Sequence, residues 1–275
     1  MTTAAVDARP QLTPPNVSLI NAAIVVTEVD ERWEMGFQYV PEACGTADVY
    51  NPCNPNDAVV HTTANASTAI TGTPYAISAS DTCSTWGFQV REYEERAIRM
   101  LKAIESFKIA RELWENQSGL GLNPWLAGTG TGAASTITTN AKPKDVLGLL
   151  ESSFYASSPA QRAMIHMSPR LLERLQHDSG GAALRREGNN FYTWMDSIVA
   201  VDAGYRGVGP GGQGGEWAYV TPVVVIREGP IRVTPDTISE ATIIRQNEVS
   251  YFADRIVQAT WDYNCQSYTL SVDLT

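Results

Sequence analysis

The sequence predicts an α+β protein, and three observations carry that prediction. Residues 91 to 116, REYEERAIRMLKAIESFKIARELWEN, are 26 good helix formers without a glycine or proline. From about residue 160 onward, short apolar runs of strand character alternate with turn residues. Between the first apolar run and the helix, the stretch from Pro41 to Ser80 is rich in Gly, Pro, Asn and Thr and has few large apolar residues, so it cannot form a core alone. With 275 residues and 43% hydrophobic content, the chain is long enough for one large domain or two interleaved ones.

Taken in order, residues 1 to 18 carry Pro10, Pro14 and Pro15 among small polar residues, which favours an extended arm. NAAIVVTEV, residues 21 to 29, reads as a short apolar strand. The following excursion has no Lys or Arg between Arg32 and Arg91, while Glu34, Glu42, Asp48, Asp57 and Asp81 are acidic. It is long, thin and negatively charged.

The long helix carries Glu92/Arg96, Glu95/Arg99, Lys108/Glu112 and Arg111/Glu115 at i,i+4 spacing. At 100° per residue, Tyr93, Ala97, Met100, Leu101 and Ile104 share one side. In the second half Phe107, Ile109, Ala110, Leu113 and Trp114 fall largely on the other side. The switch predicts a strut that supports one layer along its first half and another along its second; a helix crossing a single domain interior is the alternative.

AGTGTGAASTITTNAKP, residues 127 to 143, reads as a turn-rich connection with a boundary near 142. DVLGLLESSFYA then predicts a helix. A strand ending at Met167 leads into a helix capped by Ser168, with Pro169 at its first position and Gly180 at its close. NFYTWMDSIVAVDAGY and WAYVTPVVVIREGPIRVTP are strand-like, and RGVGPGGQGGE between them reads as a mobile loop. In YTLSVDL, Tyr268, Leu270, Val272 and Leu274 alternate with polar residues, as in a half-buried strand.

A formal net charge of -10 argues against a protein that coats nucleic acid or anionic membrane, because such binding needs clustered Lys and Arg. No run of about 18 apolar residues appears, and MTTAAVDARP lacks the basic and apolar regions of a secretory signal. A soluble cytoplasmic protein is the expectation. The sequons at Asn16, Asn65 and Asn116 therefore carry little weight. Cys44, Cys53, Cys83 and Cys265 contain no C-x-x-C, which leaves free thiols or, as the alternative, a disulfide within the first third of the chain.

No catalytic, cofactor or metal site is expected. In HDS, residues 177 to 179, the three groups are adjacent on one chain instead of converging with His between the others. His61 and His166 stand alone. The glycines of GVGPGGQGG are not followed by a lysine and lack the strand-turn-helix context of a phosphate cradle.

Three segments resemble the tailed-phage major capsid proteins of the Hong Kong 97 fold, particularly those of actinobacterial phages. They are CSTWGFQVREYEERAIRMLKAIESFKIARELWEN, AVDAGYRGVGP with GEWAYVTPVVV, and IRQNEVSYFADRIV with WDYNCQSYTLSVDL. The resemblance implies an N-terminal arm and first strand over 1–35, an E-loop over 36–90 lying on a neighbouring subunit, and a spine helix and peripheral domain over 91–145. It further implies an axial domain over 146–228 with the 204–215 loop near its tip, a peripheral return over 229–258, and a closing axial strand over 259–275. It also implies self-assembly into hexamers and pentamers of an icosahedral shell enclosing double-stranded DNA, with DNA contacted weakly and without sequence specificity. Assembly in the host bacterial cytoplasm, with the protein ending in the virion, follows from the same likeness. Separate scaffold, portal and decoration proteins are the implied partners.

Some relatives cross-link an E-loop lysine to an asparagine. Here Lys102, Lys108, Lys142 and Lys144 all lie outside that loop, which argues against such a link. Glu42, Asp48, Asp57 and Asp81 on the excursion, and Arg91, Arg96 and Arg99 on the helix, are the candidate inter-subunit contacts. An encapsulin shell is the nearest rival reading; a secreted or surface binding module is the rival from another class.

Overall fold

The computed structural model of the chain describes residues 12–13, 15–28, 31–40, 44, 69–84, 90–235, 242–243 and 248–274. The long helix, α2, spans Val90–Glu115, as its unbroken run of helix formers requires. Before it come a one-turn helix α1 (Leu19–Ala22), β1 (Ile24–Thr27), β2 (Phe37–Tyr39), β3 (Ile70–Gly72) and β4 (Tyr75–Ser84). The expected first strand thus begins only at Ile24. The turn before it exists because the buried Asp202 carboxylate accepts from the Leu19 N–H at 2.9 Å and from the Ser106 hydroxyl at 2.7 Å, tying the arm to α2.

After α2 follow β5 (Ser135–Ala141), α3 (Val146–Ser157), β6 (Ala163–Met167), α4 (Pro169–Asp178), β7 (Arg185–Glu187), β8 (Asn190–Tyr192) and β9 (Ile198–Val201). The chain ends with β10 (Glu216–Pro222), β11 (Val225–Glu228), β12 (Arg232–Thr234), β13 (Thr242–Ile243), β14 (Glu248–Thr260) and β15 (Tyr268–Val272). Ser168 caps α4 by accepting from the Leu171 N–H at 3.1 Å, with Pro169 where its missing N–H costs nothing.

Two sheets organise the molecule. In the six-stranded sheet β14 is the hub: β4 runs antiparallel along one edge, from Glu248↔Ser84 to Val257↔Tyr75, while β11, β12 and β13 share the other. The parallel strand β1 extends it beyond β11. The seven-stranded sheet has the order β5-β15-β10-β6-β9-β8-β7. It is covered on both faces: Met164, Ile198, Ala200, Trp217 and Tyr219 belong to one apolar cluster with α2, while Ile165, Val199, Ala218, Val220 and Leu270 belong to a second with α3 and α4. No helix among the described residues is long and apolar enough to cross a membrane.

This double covering corrects the reading of the tail as half-buried. Thr269 and Ser271 of β15 are buried as well as Leu270 and Val272; the Thr269 hydroxyl donates to the Ala218 carbonyl at 2.9 Å, and Ser271 Oγ accepts from the Asn140 N–H at 2.8 Å. β5 lies inside the Gly/Thr-rich stretch read as a connection, and pairs in parallel with β15. Strand residues 225–228 pair with β14 of the six-stranded sheet.

The helix does face two layers. Tyr93 stacks on Tyr251 of β14 with ring centres 6.4 Å apart. Trp114 meets Tyr205 at 4.8 Å and Tyr219 of β10 at 5.0 Å. Both halves feed one continuous cluster that holds Tyr93, Ala97, Leu101, Ile109, Leu113 and Trp114, so strut and interior helix are the same object here.

The first half of the 204–215 loop is packed against the body, while residues 211–215 are exposed. That first half lies on the C-terminal half of α2: a Cβ on Gly204 would lie 2.4 Å from the Phe107 carbonyl oxygen. The Val208 carbonyl accepts from Trp114 Nε1 at 3.0 Å and from the Tyr219 hydroxyl at 3.1 Å. The glycines at 204, 207 and 209 serve close approach to their neighbours.

Candidate assembly surfaces

The excursion leaves and re-enters the body through the antiparallel pair β2/β3, registered Phe37↔Gly72, Gln38↔Thr71 and Tyr39↔Ile70. Ile70 is fully buried, and a side chain at position 72 would meet the Phe37 ring and Gln258 within 2.7 Å. Tyr39 stacks on Phe37 at 5.9 Å. Burial, reinforced by Asp262, pushes the Tyr39 hydroxyl up to about 12. The Arg227 guanidinium lies over the Phe37 ring at 4.5 Å and pairs with Glu28. The Tyr263 hydroxyl accepts from the Thr71 N–H at 3.3 Å, while Asn123 exchanges bonds with the Thr73 backbone at 3.0 and 2.8 Å. These contacts aim the root of the loop.

One covalent tie reinforces them. Cys44 forms a disulfide with Cys265, 221 positions away. This overturns the reading of Cys44 and Cys265 as free thiols and that of Cys44 as paired within the first third; Cys53 and the Cys83 side chain lie outside the described residues. The tail turn before β15 folds back beside the β2/β3 pair, so the partner comes from the other end of the chain.

Behind the root, Arg255 of β14 joins two carboxylates: its Nη1 donates to Glu105 of α2 at 3.0 and 3.2 Å and to Glu228 of β11 at 2.8 Å. Burial raises the Glu105 carboxyl above its ordinary range, and Arg255 opposes that rise. Helix and sheet are thereby locked together by charge as well as by packing.

Of the candidate inter-subunit residues, Glu42, Asp48 and Asp57 lie outside the described residues, and Arg91 is placed on α2 by its backbone alone. Asp81 and Arg96 are brought together within the chain at 3.0 Å, with the Asp81 side chain 8% exposed. Arg99 stands on the exposed side of α2, 3.8 Å from Glu95.

Sequence reasoning missed a second surface. The turn between β8 and β9 presents Trp194, 74% exposed, and Met195, yet it is firmly built. Asp196, at φ 66°, takes Arg162 at 2.7 Å and Arg185 at 2.9 Å, and the Thr193 and Ser197 hydroxyls both donate to the buried Glu151. Two large apolar residues inside a polar turn, TWMDS, were the available signal. Ile24 and Val25 on the edge strand β1, and Met35 before β2, are further exposed apolar side chains of the kind that neighbours cover.

His61 lies outside the described residues. His177 pairs with Asp178 at 3.1 Å, while the Ser179 hydroxyl turns to the Gln176 carbonyl. His166 is fully buried between the Tyr205 and Thr221 hydroxyls, 2.9 Å from each, and burial lowers it to about 3, so it stays neutral and structural.

Solved structures share this arrangement of a long helix along two sheets across almost the whole length of the chain. The capsid of an empty GTA particle matches with a TM-score of 0.58 at 12% identity, covering 99% of this chain and 95% of that one. Mycobacterium phage Adephagia matches with a TM-score of 0.56 at 13% identity, covering 99% and 94%. The SrpI encapsulin of Synechococcus elongatus PCC 7942 matches with a TM-score of 0.55 at 15% identity, covering 99% and 94%. No protein-family model and no curated protein matches the sequence. The fold is the α+β, Hong Kong 97-type capsid fold.

Proposed function

We propose that the protein is the major capsid protein of a tailed phage, assembling with itself into the hexamers and pentamers of an icosahedral shell around double-stranded DNA. The observation that carries the reading is the rooted excursion on a body whose whole-chain fold is that of capsid subunits. In this reading α2 with the six-stranded sheet is the peripheral part and the seven-stranded sheet with α3 and α4 the axial part. The excursion within 36–90 would be the E-loop laid on a neighbour. Glu42, Asp48 and Asp57 would then meet arginines such as Arg91 and Arg99 of the next copy, whereas Asp81 and Arg96 hold each other within one copy. The shell takes shape in the host cytoplasm with separate scaffold and portal proteins, then becomes part of the virion. It binds DNA weakly and without sequence preference, in keeping with a net charge of -10.

Electron microscopy of the purified full-length protein tests this: closed particles are expected, and a stable monomer under every assembly condition would refute it. A nanocompartment shell is the second reading, favoured by the equally extensive likeness to the SrpI encapsulin. Particle contents decide between them, genome-length DNA for a phage head and a cargo protein for a compartment.

A further inference from the structure

We infer that the Cys44–Cys265 disulfide is a redox clamp that is open while the protein assembles and closes afterwards to pin the root of the excursion. The inference rests on the proposed shell function, because a shell built in a bacterial cytoplasm forms where thiols are kept reduced, whereas the finished particle meets an oxidising exterior. Two features of the site fit both states. In the open state the root is already placed without the bond, by the β2/β3 pair, the Phe37–Tyr39 stack and the Tyr263 hydroxyl under Thr71. The reduced Cys265 thiol also has a partner waiting, since its Sγ lies 3.5 Å from the Asp262 carboxylate, whose Oδ1 accepts from the Asn264 N–H at 3.1 Å.

In the closed state the tie falls where control of the loop is greatest. Cys44 is five positions beyond Tyr39, on the excursion side of the root, and Cys265 is in the rigid turn before β15, 2% exposed. A bond there fixes the chain just beyond the point where it leaves the β2/β3 pair. The oxidant is a low-molecular-weight disulfide such as glutathione disulfide. The Cys44 thiolate attacks it, releasing one thiol and leaving a mixed disulfide; Cys265 then displaces the second thiol. The protein loses two protons and two electrons, and the small disulfide becomes two thiols.

The test lyses cells directly into denaturant containing an alkylating agent, treats isolated particles the same way after exposure to glutathione disulfide, and maps the labelled peptides of the full-length protein. Cys44 and Cys265 should carry label from the lysate and lose the ability to take it up after oxidation, with an intact mass lower by two hydrogens. Label on Cys53 and Cys83 should be unchanged. A Cys44–Cys265 bond already present in the lysate, or thiols at both positions that survive the oxidant, would overturn the clamp.

Protease cleavage between residues 45 and 68 should slow on oxidation of wild-type particles and stay fast in Cys44→Ser and Cys265→Ser particles. Equal rates in all three would overturn it too. Because labelling reads the unassembled chain as well, failure to form particles would count against the shell alone.

Discussion

Replacing Arg255 with methionine keeps most of the side-chain volume but leaves Glu105 and Glu228 facing each other without their shared cation. The Glu105 side chain is 5% exposed and those of Arg255 and Glu228 are 15% exposed, so water cannot substitute. At the 3.0 Å separation of the Glu105 contact, one such pair is worth ~5 kcal/mol before desolvation at an effective dielectric of about 20. Truncating one partner of a buried pair costs about 3–5 kcal/mol. The expected loss at neutral pH is therefore about 3–5 kcal/mol, read by urea unfolding of the unassembled protein through tryptophan emission.

The pH dependence has a definite sign. Burial already raises the folded Glu105 carboxyl above its ordinary 4.5, and the variant removes the group that opposed the rise. A carboxyl that binds its proton more tightly when folded favours the folded state in acid and loses that advantage as pH rises through its folded value. The deficit of Arg255→Met should thus shrink on acidification toward 4.5, and adding Glu105→Gln should recover part of it at neutral pH. A neutral-pH loss below about 1 kcal/mol, the range of exposed pairs, or one that deepens in acid, would refute the argument.

Leu101→Asp places a carboxylate at a fully buried position of α2 and should cost several kcal/mol, removing both soluble protein and particles; normal particles on micrographs would show that its face had been misassigned. Gly204→Val sets a branched side chain where even a Cβ would stand 2.4 Å from the Phe107 carbonyl, so thermal unfolding should report a loss of roughly 1–3 kcal/mol or more. Boiling mature particles in detergent with reductant should release one band near 29.9 kDa, because Lys102 and Lys108 lie on α2 and Lys142 and Lys144 around the β5–α3 turn. A ladder that survives reduction would reveal a covalent link between copies.

The elements most legible in the sequence were those fixed by local chemistry. α2 was visible because 26 residues offer no breaker, and α4 because Ser168 and Pro169 write its start. What escaped was decided at long range. β5 is Thr-rich and becomes a strand because β15 lies beside it. Thr269 and Ser271 look solvent-facing until the second covered face supplies their bonds. The glycines at 204, 207 and 209 resemble a flexible linker, yet each faces a carbonyl, a carboxylate or the Trp217 ring that would meet a Cβ. The partner of Cys44 could not be read at all, since 221 positions separate it from Cys265. For the assembly surface, charge pattern pointed to the excursion and the helix, but pairing of Asp81 with Arg96 inside the chain depends on β4 packing on α2.

The aromatic knot of Trp114, Tyr205 and Tyr219 has a mechanical consequence. It welds the far end of α2 to the seven-stranded sheet, while Tyr93 and Arg255 bind the same rod to β14 of the other sheet. The two sheets therefore cannot slide or tilt past one another without breaking close-packed contacts. A closed container built from such units keeps each tile stiff and takes up its curvature at the seams, so that bending a wall means shifting copies against each other and not deforming any one of them.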